Sequence, residues 1–268
     1  MAGRLAIVAC GGALPVRLAE AHPNAMLIAL EGIPTDLEGA AQSFALEEIG
    51  ALFDAMRAEG VARMVFAGTL ARPPLNPARM DAAMLRIAPR LMQMVAQGDD
   101  ALLRFVISVF EDEGFAVLGA HELLPDLTAA ADLRVGRTPD KAEEADIARA
   151  HDILVGISSL DIGQGCAVAG GQCLGVETVQ GTDAILRFIK ETPDALRRGA
   201  RGVYLKMPKR GQDLRIDMPA IGPRTVHGVA DAGLGGLVIA AGQVVVMEPD
   251  ATRAAAEARG VYLISRTL

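Results

Sequence analysis

Charged and apolar side chains alternate in residues 212–218, QDLRIDM. Asp213, Arg215 and Asp217 occupy every second position, so an extended chain would place them on one face. Leu214 and Ile216 would lie on the opposite face, which suits a core. Two carboxylates beside an arginine can hold a metal ion and a phosphate, although the same residue types also form solvated ion pairs. The pattern therefore predicts a strand with one charged face that either binds a ligand or faces water.

A run of seven basic residues, from Lys190 to Arg210, directly precedes this predicted strand. It includes Arg197, Arg198, Arg201, Lys206 and Lys209. Carboxylates for a metal next to cations for phosphate are the groups that phosphoryl chemistry requires. The alternative is an exposed face of ion pairs, each of which contributes only about 0–1 kcal/mol.

Two further segments combine acids with glycines where strands are expected to end. They are DIGQG, residues 161–165, and GVETVQGTDA, residues 175–184. Asp161, Glu177 and Asp183 could ligate Mg²⁺, which prefers one or two carboxylates together with substrate phosphates. Thr182 is predicted to be the N-cap of the following helix.

Two loops near the N-terminus could bind an anion. Gly11 and Gly12 lie in ACGGALP between a strand and a helix, where free backbone N–H groups favour a phosphate. The dinucleotide fingerprint is incomplete there, although Glu31 lies 20 residues after Gly11, where a ribose-binding acid is expected. Arg72, in GTLARPPL, could bind a phosphate. A tight turn without ligand and a solvated arginine are the alternatives for the two loops.

The composition excludes several classes of protein. Aromatic residues make up 3% of the 268 residues, Trp is absent, and the formal net charge is −7, which argues against nucleic acid as a partner. Cys10, Cys166 and Cys173 follow no zinc-binding spacing and are typical of a reducing cytoplasm. We expect the last two to be small buried apolar residues. No apolar run reaches the roughly 20 residues of a membrane-spanning helix.

Strands alternating with helices in the first half predict an α/β fold with a Rossmann-like parallel sheet and flanking helices. Strands are expected at residues 4–10, 24–32, 61–68 and 114–120, with helices at 14–22, 45–59, 80–97 and 100–113. The Met-rich stretch 84–94 is expected to face the core rather than lipid. The second half is richer in glycine and predicts a mixed α/β (α+β) domain, with hairpin turns at Gly-Gly and Gly-Gln pairs. The domains are predicted as residues 1–132 and 133–268.

Taken together in this order, the segments resemble the LpxI-type UDP-2,3-diacylglucosamine pyrophosphatases of lipid A biosynthesis. The matching stretches are IVACGGALP, GTLARPPL, GDDALLRFVISVFEDEGFAVLG, DIGQG, GVETVQGTDA and KRGQDLRIDMPAIGPRT. Cys10 departs from the small residue expected in the first of these. The resemblance implies a two-domain cytoplasmic enzyme that hydrolyses UDP-2,3-diacylglucosamine to UMP and 2,3-diacylglucosamine 1-phosphate with Mg²⁺. It leaves contact with the inner membrane and assembly as a homodimer open.

This resemblance gives each candidate residue a role. Asp217, Asp213 and Arg215 are the catalytic candidates, with Asp217 as metal ligand or as the residue that orients the attacking water. The metal candidates are Asp217, Asp213, Glu177 and Asp161. The substrate-binding candidates are Gly11, Gly12, Arg72, Gln164, Thr182, Lys206, Lys209, Gln212 and Thr225. A nicotinamide-dependent oxidoreductase and a non-catalytic carrier of a nucleotide sugar or lipid are the alternative functions.

Overall fold

The computed structural model describes residues 3–37, 39–69 and 75–268. The chain divides into two compact units. Unit 1 comprises Met1–Pro125 together with Arg215–Asp217, and unit 2 comprises Asp126–Leu214 and Met218–Leu268. The chain therefore returns to unit 1 for three residues before unit 2 is complete.

Unit 1 is built around a parallel sheet with the strand order β3-β2-β1-β4-β5 in its described residues. Its strands are β1 Arg4–Ala9, β2 Met26–Leu30, β3 Gln42–Phe44, β4 Val61–Ala67 and β5 Ala116–Leu118. Its helices are α1 Leu14–Ala21, α2 Ile49–Ala58, α3 Ala82–Val95, α4 Asp99–Asp112 and α5 Ala120–Leu123. These elements confirm the predicted alternation of strands and helices; the short strand β3 was not predicted.

The core of unit 1 lies where the helices cover these apolar strands. Phe110 of α4 makes edge-to-face contacts with Phe53 of α2 and Phe66 of β4, each with ring centroids 5.3 Å apart. Helix α3 packs against this core with only one of its faces. Met84 is buried, whereas Met92 is 73% exposed. The Met-rich stretch therefore faces the core in part and solvent in part.

Unit 2 contains a mixed sheet with the strand order β6-β13-β11-β9-β7-β8. Strands β9, β11 and β13 run parallel, whereas β6, β7 and β8 pair antiparallel to their neighbours. The strands are β6 Arg134–Val135, β7 Gly165–Ala169, β8 Gln172–Val176, β9 Val203–Lys206, β10 Ala220–Ile221, β11 Gly236–Ala240, β12 Val245–Val246 and β13 Tyr262–Arg266. The helices are α6 Lys141–Ile157, α7 Thr182–Lys190, α8 Pro223–Asp231 and α9 Pro249–Arg259. This confirms the predicted fold class of a parallel α/β unit followed by a mixed one.

The β7–β8 hairpin forms at the predicted Gly-Gly turn. Gly170 and Gly171 both have positive φ, 55° and 76°, a combination that the favoured two-residue hairpin turn requires. The buried carboxylate of Asp146 in α6 accepts their N–H groups at 3.0 and 2.7 Å. The hairpin is thus fixed to the helix that covers it.

Two predicted strand arrangements are wrong. Residues 212–219 form no strand, and a turn occupies 214–216, so Asp213, Arg215 and Asp217 do not share a strand face. The Gly-Gln pair at 242–243 does not make a hairpin, because β11 belongs to the large sheet while β12 pairs in parallel with β10. In the described part of the chain, no helix combines the length and apolar character needed to cross a bilayer.

Candidate functional site

Glu177, at the carboxyl end of β8, is the centre of a polar cluster inside unit 2. Its Oε2 accepts a hydrogen bond from the Tyr204 hydroxyl at 2.8 Å and from the Thr182 hydroxyl at 3.1 Å. The Lys206 Nζ lies 3.4 Å from the same oxygen and donates to Thr182 Oγ1 at 2.5 Å. The side chains of Lys206 and Glu177 are only 6% and 13% exposed, so this ion pair is largely removed from water. We call these four residues the Glu177 cluster.

The glycines of DIGQG are explained by this cluster. A Cβ on Gly163 would lie 1.9 Å from the Glu177 backbone oxygen, and one on Gly165 would lie 1.9 Å from the Tyr204 hydroxyl. Gly165 also accepts the Glu177 N–H through its carbonyl oxygen at 2.7 Å. Any side chain at either position would displace Glu177 or its partners, so the motif allows the backbone to approach the carboxylate closely.

The prediction that Thr182 is the N-cap of the following helix is wrong. Helix α7 begins at Thr182 with Gly181 as its N-cap, so Thr182 is not the cap. Its hydroxyl instead connects Glu177 and Lys206. Asp183, in the next position, pairs with Arg224 at the surface.

Tyr204 has no access to solvent. Burial, with Glu177 next to the hydroxyl as a second cause, raises the pKa of this phenol well above its ordinary value of 10. Burial also raises the pKa of Tyr262, which lies 1% exposed in β13. Both phenols therefore keep their protons well above pH 10, and Tyr204 serves as a hydrogen-bond donor.

We expect neither tyrosine to ionise in the folded protein near pH 10.5, where a free phenol is mostly deprotonated. A pKa raised in the folded state stabilises the fold fully below the unfolded pKa of about 10, and this contribution is lost as pH rises further. The free energy of unfolding of unit 2 should therefore fall above about pH 10. An absorbance titration would check this, because Tyr204 and Tyr262 are the two tyrosines of the chain. Reversible tyrosinate absorbance near pH 10.5, with native circular dichroism, would contradict it.

A second ionic contact joins the DIGQG segment to the loop after β9. The Lys209 Nζ pairs with Asp161, a non-glycine residue in the left-handed region with φ 53°. The Lys209 backbone N–H donates to Gln212 Oε1 at 2.9 Å, and the Gln164 backbone carbonyl oxygen accepts the Met207 N–H at 2.9 Å. The structure thus brings together four predicted site residues.

A cavity of about 260 Å³ adjoins this loop. Its walls include Lys209, Arg210, Gln212, His151 and Leu268. The cationic and amide residues among them suit an anion.

The carboxylates of unit 2 do not form a metal site by themselves. Within residues 3–37, 39–69 and 75–268, no group of three or more His, Cys, Asp or Glu side chains is placed to hold a metal. Asp161 and Glu177 each face a lysine ammonium. Asp213 belongs to unit 2, whereas Asp217 belongs to unit 1. Asp161 and Glu177 are therefore neutralised by protein cations, and they do not fit a preformed Mg²⁺ centre.

Arg215 and Asp217 lie in the segment that returns to unit 1. An Arg215 guanidinium nitrogen donates to Glu111 Oε1 at 2.7 Å, and Ile216 packs against the unit 1 core. The turn itself is thus held by two contacts to unit 1, and Asp217 follows it directly. Glu111 was not predicted as a site residue, since nothing local in the sequence links it to position 215.

Three arginines of the basic run hydrogen-bond to the backbone of unit 2. Arg197 is 6% exposed and donates to the carbonyl oxygens of Ile189 at 2.6 Å and Ala232 at 2.7 Å, at the ends of two helices. Arg198 and Arg201 also donate to backbone carbonyl oxygens. The interpretation as a solvated or phosphate-binding face is therefore wrong for Arg197, whereas Arg198 and Arg201 are exposed to solvent. Of the basic run, Lys206 and Lys209 are the predicted site residues.

The remaining predicted residues have separate surroundings. The Gly11 N–H donates to Thr69 O at 3.2 Å, and Thr69 returns a bond of 2.9 Å, so Gly11 already has a backbone partner. Gly12 is exposed with φ 94°. Thr225 is buried in α8 and accepts the Gly222 N–H at 3.4 Å. Arg72 lies outside the described residues.

Glu31, the acid that suggested a ribose site, pairs with Arg79 at 2.9 Å. It also lines a cavity of about 440 Å³ at the carboxyl end of β2. Its carboxylate therefore already has a cationic partner, which weakens the interpretation of unit 1 as a nicotinamide site.

Sequence reasoning missed Tyr204 and the role of Gly163. Tyr204 lies in an apolar strand pattern, which predicts burial but not a hydrogen bond to Glu177. The available signal was its position two residues before Lys206, since alternate strand residues share a face.

Comparison with known proteins also separates the chain into an N-terminal and a C-terminal part. Residues 4–127 match the family model described as the LpxI N-terminal domain, and residues 131–264 match the LpxI C-terminal domain. The chain is 40% identical over 271 aligned positions, covering 97% of this chain and 96% of the relative, to the UDP-2,3-diacylglucosamine pyrophosphatase LpxI of Caulobacter vibrioides. Both halves and nearly the full length are matched, so this chain belongs to the LpxI family.

Proposed function

We propose that this protein hydrolyses the pyrophosphate bond of UDP-2,3-diacylglucosamine. The observation that carries the proposal is the 40% identity, over 97% of the chain, to a relative named for that activity. Water adds to one phosphorus, the bond from that phosphorus to the bridging oxygen breaks, and the products are UMP and 2,3-diacylglucosamine 1-phosphate. Attack on either phosphorus gives the same two products.

The proposed roles follow from what each residue contacts. Asp217 directly follows the turn held by Arg215 and Ile216, and we assign it the orientation of the attacking water. Lys209 would neutralise phosphate charge, exchanging Asp161 for the substrate. Lys206 is already bonded to Thr182 and Glu177 inside the unit, so its role is to position these residues.

Apolar side chains near the Glu177 cluster support a lipid substrate. Leu160 and Ile162 flank Asp161 and are 65% and 41% exposed, while Val179, two residues after Glu177, is 94% exposed. Exposed aliphatic residues in loops beside a polar cluster provide contacts for acyl chains next to a charged headgroup.

Mg²⁺ is part of the proposal on the family resemblance alone. If the cation binds, it would do so with the substrate, because Asp161 and Glu177 are already paired with lysines. Its chemistry would be neutralisation of charge on the diphosphate.

UMP release from purified protein and UDP-2,3-diacylglucosamine tests the reaction and the metal together. We expect release with Mg²⁺ and a loss of at least about a hundredfold with EDTA, because the diphosphate charge is then not neutralised. Restoring Mg²⁺ in excess should restore the rate and is the control. Release unaffected by EDTA would remove the metal from the proposal. No release under either condition, with folded protein, would favour the carrier alternative.

We further propose that the reaction takes place in the cytoplasm at the surface of the inner membrane, where a diacylated substrate is available. Part of the protein should therefore sediment with anionic vesicles, and replacing Leu160 and Val179 with serine should reduce that fraction. Full recovery in the supernatant would reject membrane contact while leaving the hydrolysis proposal intact.

A further inference from the structure

Two thiols lie close together on adjacent strands of the β7–β8 hairpin, as diagonal neighbours rather than as a directly opposite pair. Cys166 Sγ and Cys173 Sγ lie 3.9 Å apart. Cys166 is fully buried beneath α6, whereas Cys173 is exposed, which corrects the expectation that both are buried. The third cysteine, Cys10, is buried in unit 1. Only Cys173 is therefore directly accessible to a reagent in solution, and it has a second thiol as its neighbour.

The hairpin register gives these sulfurs room to approach. Ala167 pairs with Gly175 and Val168 pairs with Cys173, so Leu174 is an extra residue that makes a bulge between them. A disulfide requires the sulfurs to move from 3.9 Å to about 2.05 Å. The sulfurs therefore need to approach by about 2 Å, next to a point where the ladder is already irregular.

The surroundings favour ionisation of the exposed thiol. The contact with the Cys166 thiol lowers the pKa of Cys173, and the Gly175 backbone and the Arg149 guanidinium act in the same direction, against the opposing effect of partial burial. A larger fraction of Cys173 than of an ordinary cysteine is therefore thiolate at neutral pH. The pKa of Cys166 is raised, chiefly by the same hydrogen bond and by burial, so it stays protonated.

We propose that Cys166 and Cys173 form a reversible, peroxide-reactive dithiol in which Cys173 is attacked first and Cys166 resolves it. The Cys173 thiolate attacks one oxygen of hydrogen peroxide, the O–O bond breaks, and the product is a sulfenic acid and hydroxide, which takes a proton to become water. The Cys166 thiol then attacks the sulfenic sulfur. The S–O bond breaks, the S–S bond forms, and the released hydroxide leaves as water with the Cys166 proton. Two thiols thus give two electrons to one peroxide.

Mass spectrometry of the full-length protein after one equivalent of peroxide tests the proposal. We expect a loss of about 2 Da, reversed by dithiothreitol, and one alkylatable cysteine after unfolding instead of three. The variant Cys10→Ser should behave like the wild type. The variant Cys166→Ala should instead gain about 16 Da and be trapped by dimedone, because its sulfenic acid has no resolving thiol. Each variant is first checked by circular dichroism.

The variant Cys173→Ser separates this mechanism from general thiol oxidation. Its reaction with peroxide should be at least about tenfold slower, because the remaining thiols are buried and protonated. Equal rates for Cys173→Ser and wild type would overturn the proposal. So would a stable gain of about 16 Da in the wild type, or a disulfide-linked dimer on a non-reducing gel. None of these readouts depends on pyrophosphatase activity.

Discussion

Replacing Asp217 with asparagine should lower the turnover number by about a hundred- to ten-thousandfold while the protein stays folded. The change keeps the shape of the side chain and removes the charge that would orient and activate water, which is the range expected for loss of a general base. The turn before this position is held by the Arg215–Glu111 pair and by Ile216 in the unit 1 core, so folding should depend little on the carboxylate. Steady-state UMP release checks the rate.

A matched variant and a binding measurement make this result specific. Asp54→Asn makes the same chemical change on a side chain of unit 1 that is 83% exposed, and it should leave turnover unchanged. KM, and the rise in melting temperature caused by substrate, should change little in Asp217→Asn. An Asp217→Asn protein with turnover near that of the wild type would remove Asp217 from the mechanism. A loss of substrate binding equal to the loss in rate would make it a binding residue.

Replacing Lys206 with methionine should destabilise unit 2 by about 3–5 kcal/mol. The Lys206 ammonium is the cation next to Glu177 in a nearly buried cluster, and a carboxylate left in such a site keeps its desolvation cost without a partner. Because both tyrosines lie in unit 2 and the chain has no tryptophan, tyrosine fluorescence during urea unfolding reports on this unit.

Two further variants test why Lys206→Met should lower the free energy of unfolding. Lys141→Met makes the same substitution on an exposed side chain of α6 and should change the free energy of unfolding by less than about 0.5 kcal/mol. Adding Glu177→Gln to Lys206→Met should recover more than half of the loss, because the uncompensated charge is then gone. A loss below about 1 kcal/mol in Lys206→Met would show that water reaches the carboxylate.

The sequence predicts the elements whose signals are local. Strands β1, β2 and β4 are mostly apolar runs. The Gly170-Gly171 turn lies between the apolar strands β7 and β8, so the pattern and the turn chemistry agree there too. Thr182 was wrongly predicted as a cap because the local sequence does not show that Glu177 and Lys206 lie on either side of its hydroxyl. The cap preference of threonine was outweighed by this tertiary contact.

The charged segment 212–218 shows why structure that depends on contacts between distant residues could not be predicted. Its alternation suits a strand, but a strand needs a neighbour to pair with, and the pattern holds no information about one. In the structure Arg215 is bonded to Glu111, 104 residues away, and Ile216 enters the core of unit 1. The two acids of the pattern consequently belong to different units, although they are four residues apart. Contacts so distant in sequence determine the conformation of this segment, and a single sequence does not reveal them.

Because Arg215–Asp217 belong to unit 1, a single cut in the gene cannot separate the two units. A gene fragment that ends at Pro125 encodes the whole parallel sheet but lacks the isoleucine that covers part of its core. Its product would expose apolar surface that the full chain covers. A fragment that starts at Asp126 would carry the same three residues without their partners. A crossover between homologous genes near residue 125 would therefore combine a unit 1 sheet from one parent with the Arg215–Asp217 segment of the other, and the isoleucine at 216 would have to fit a core that did not evolve with it.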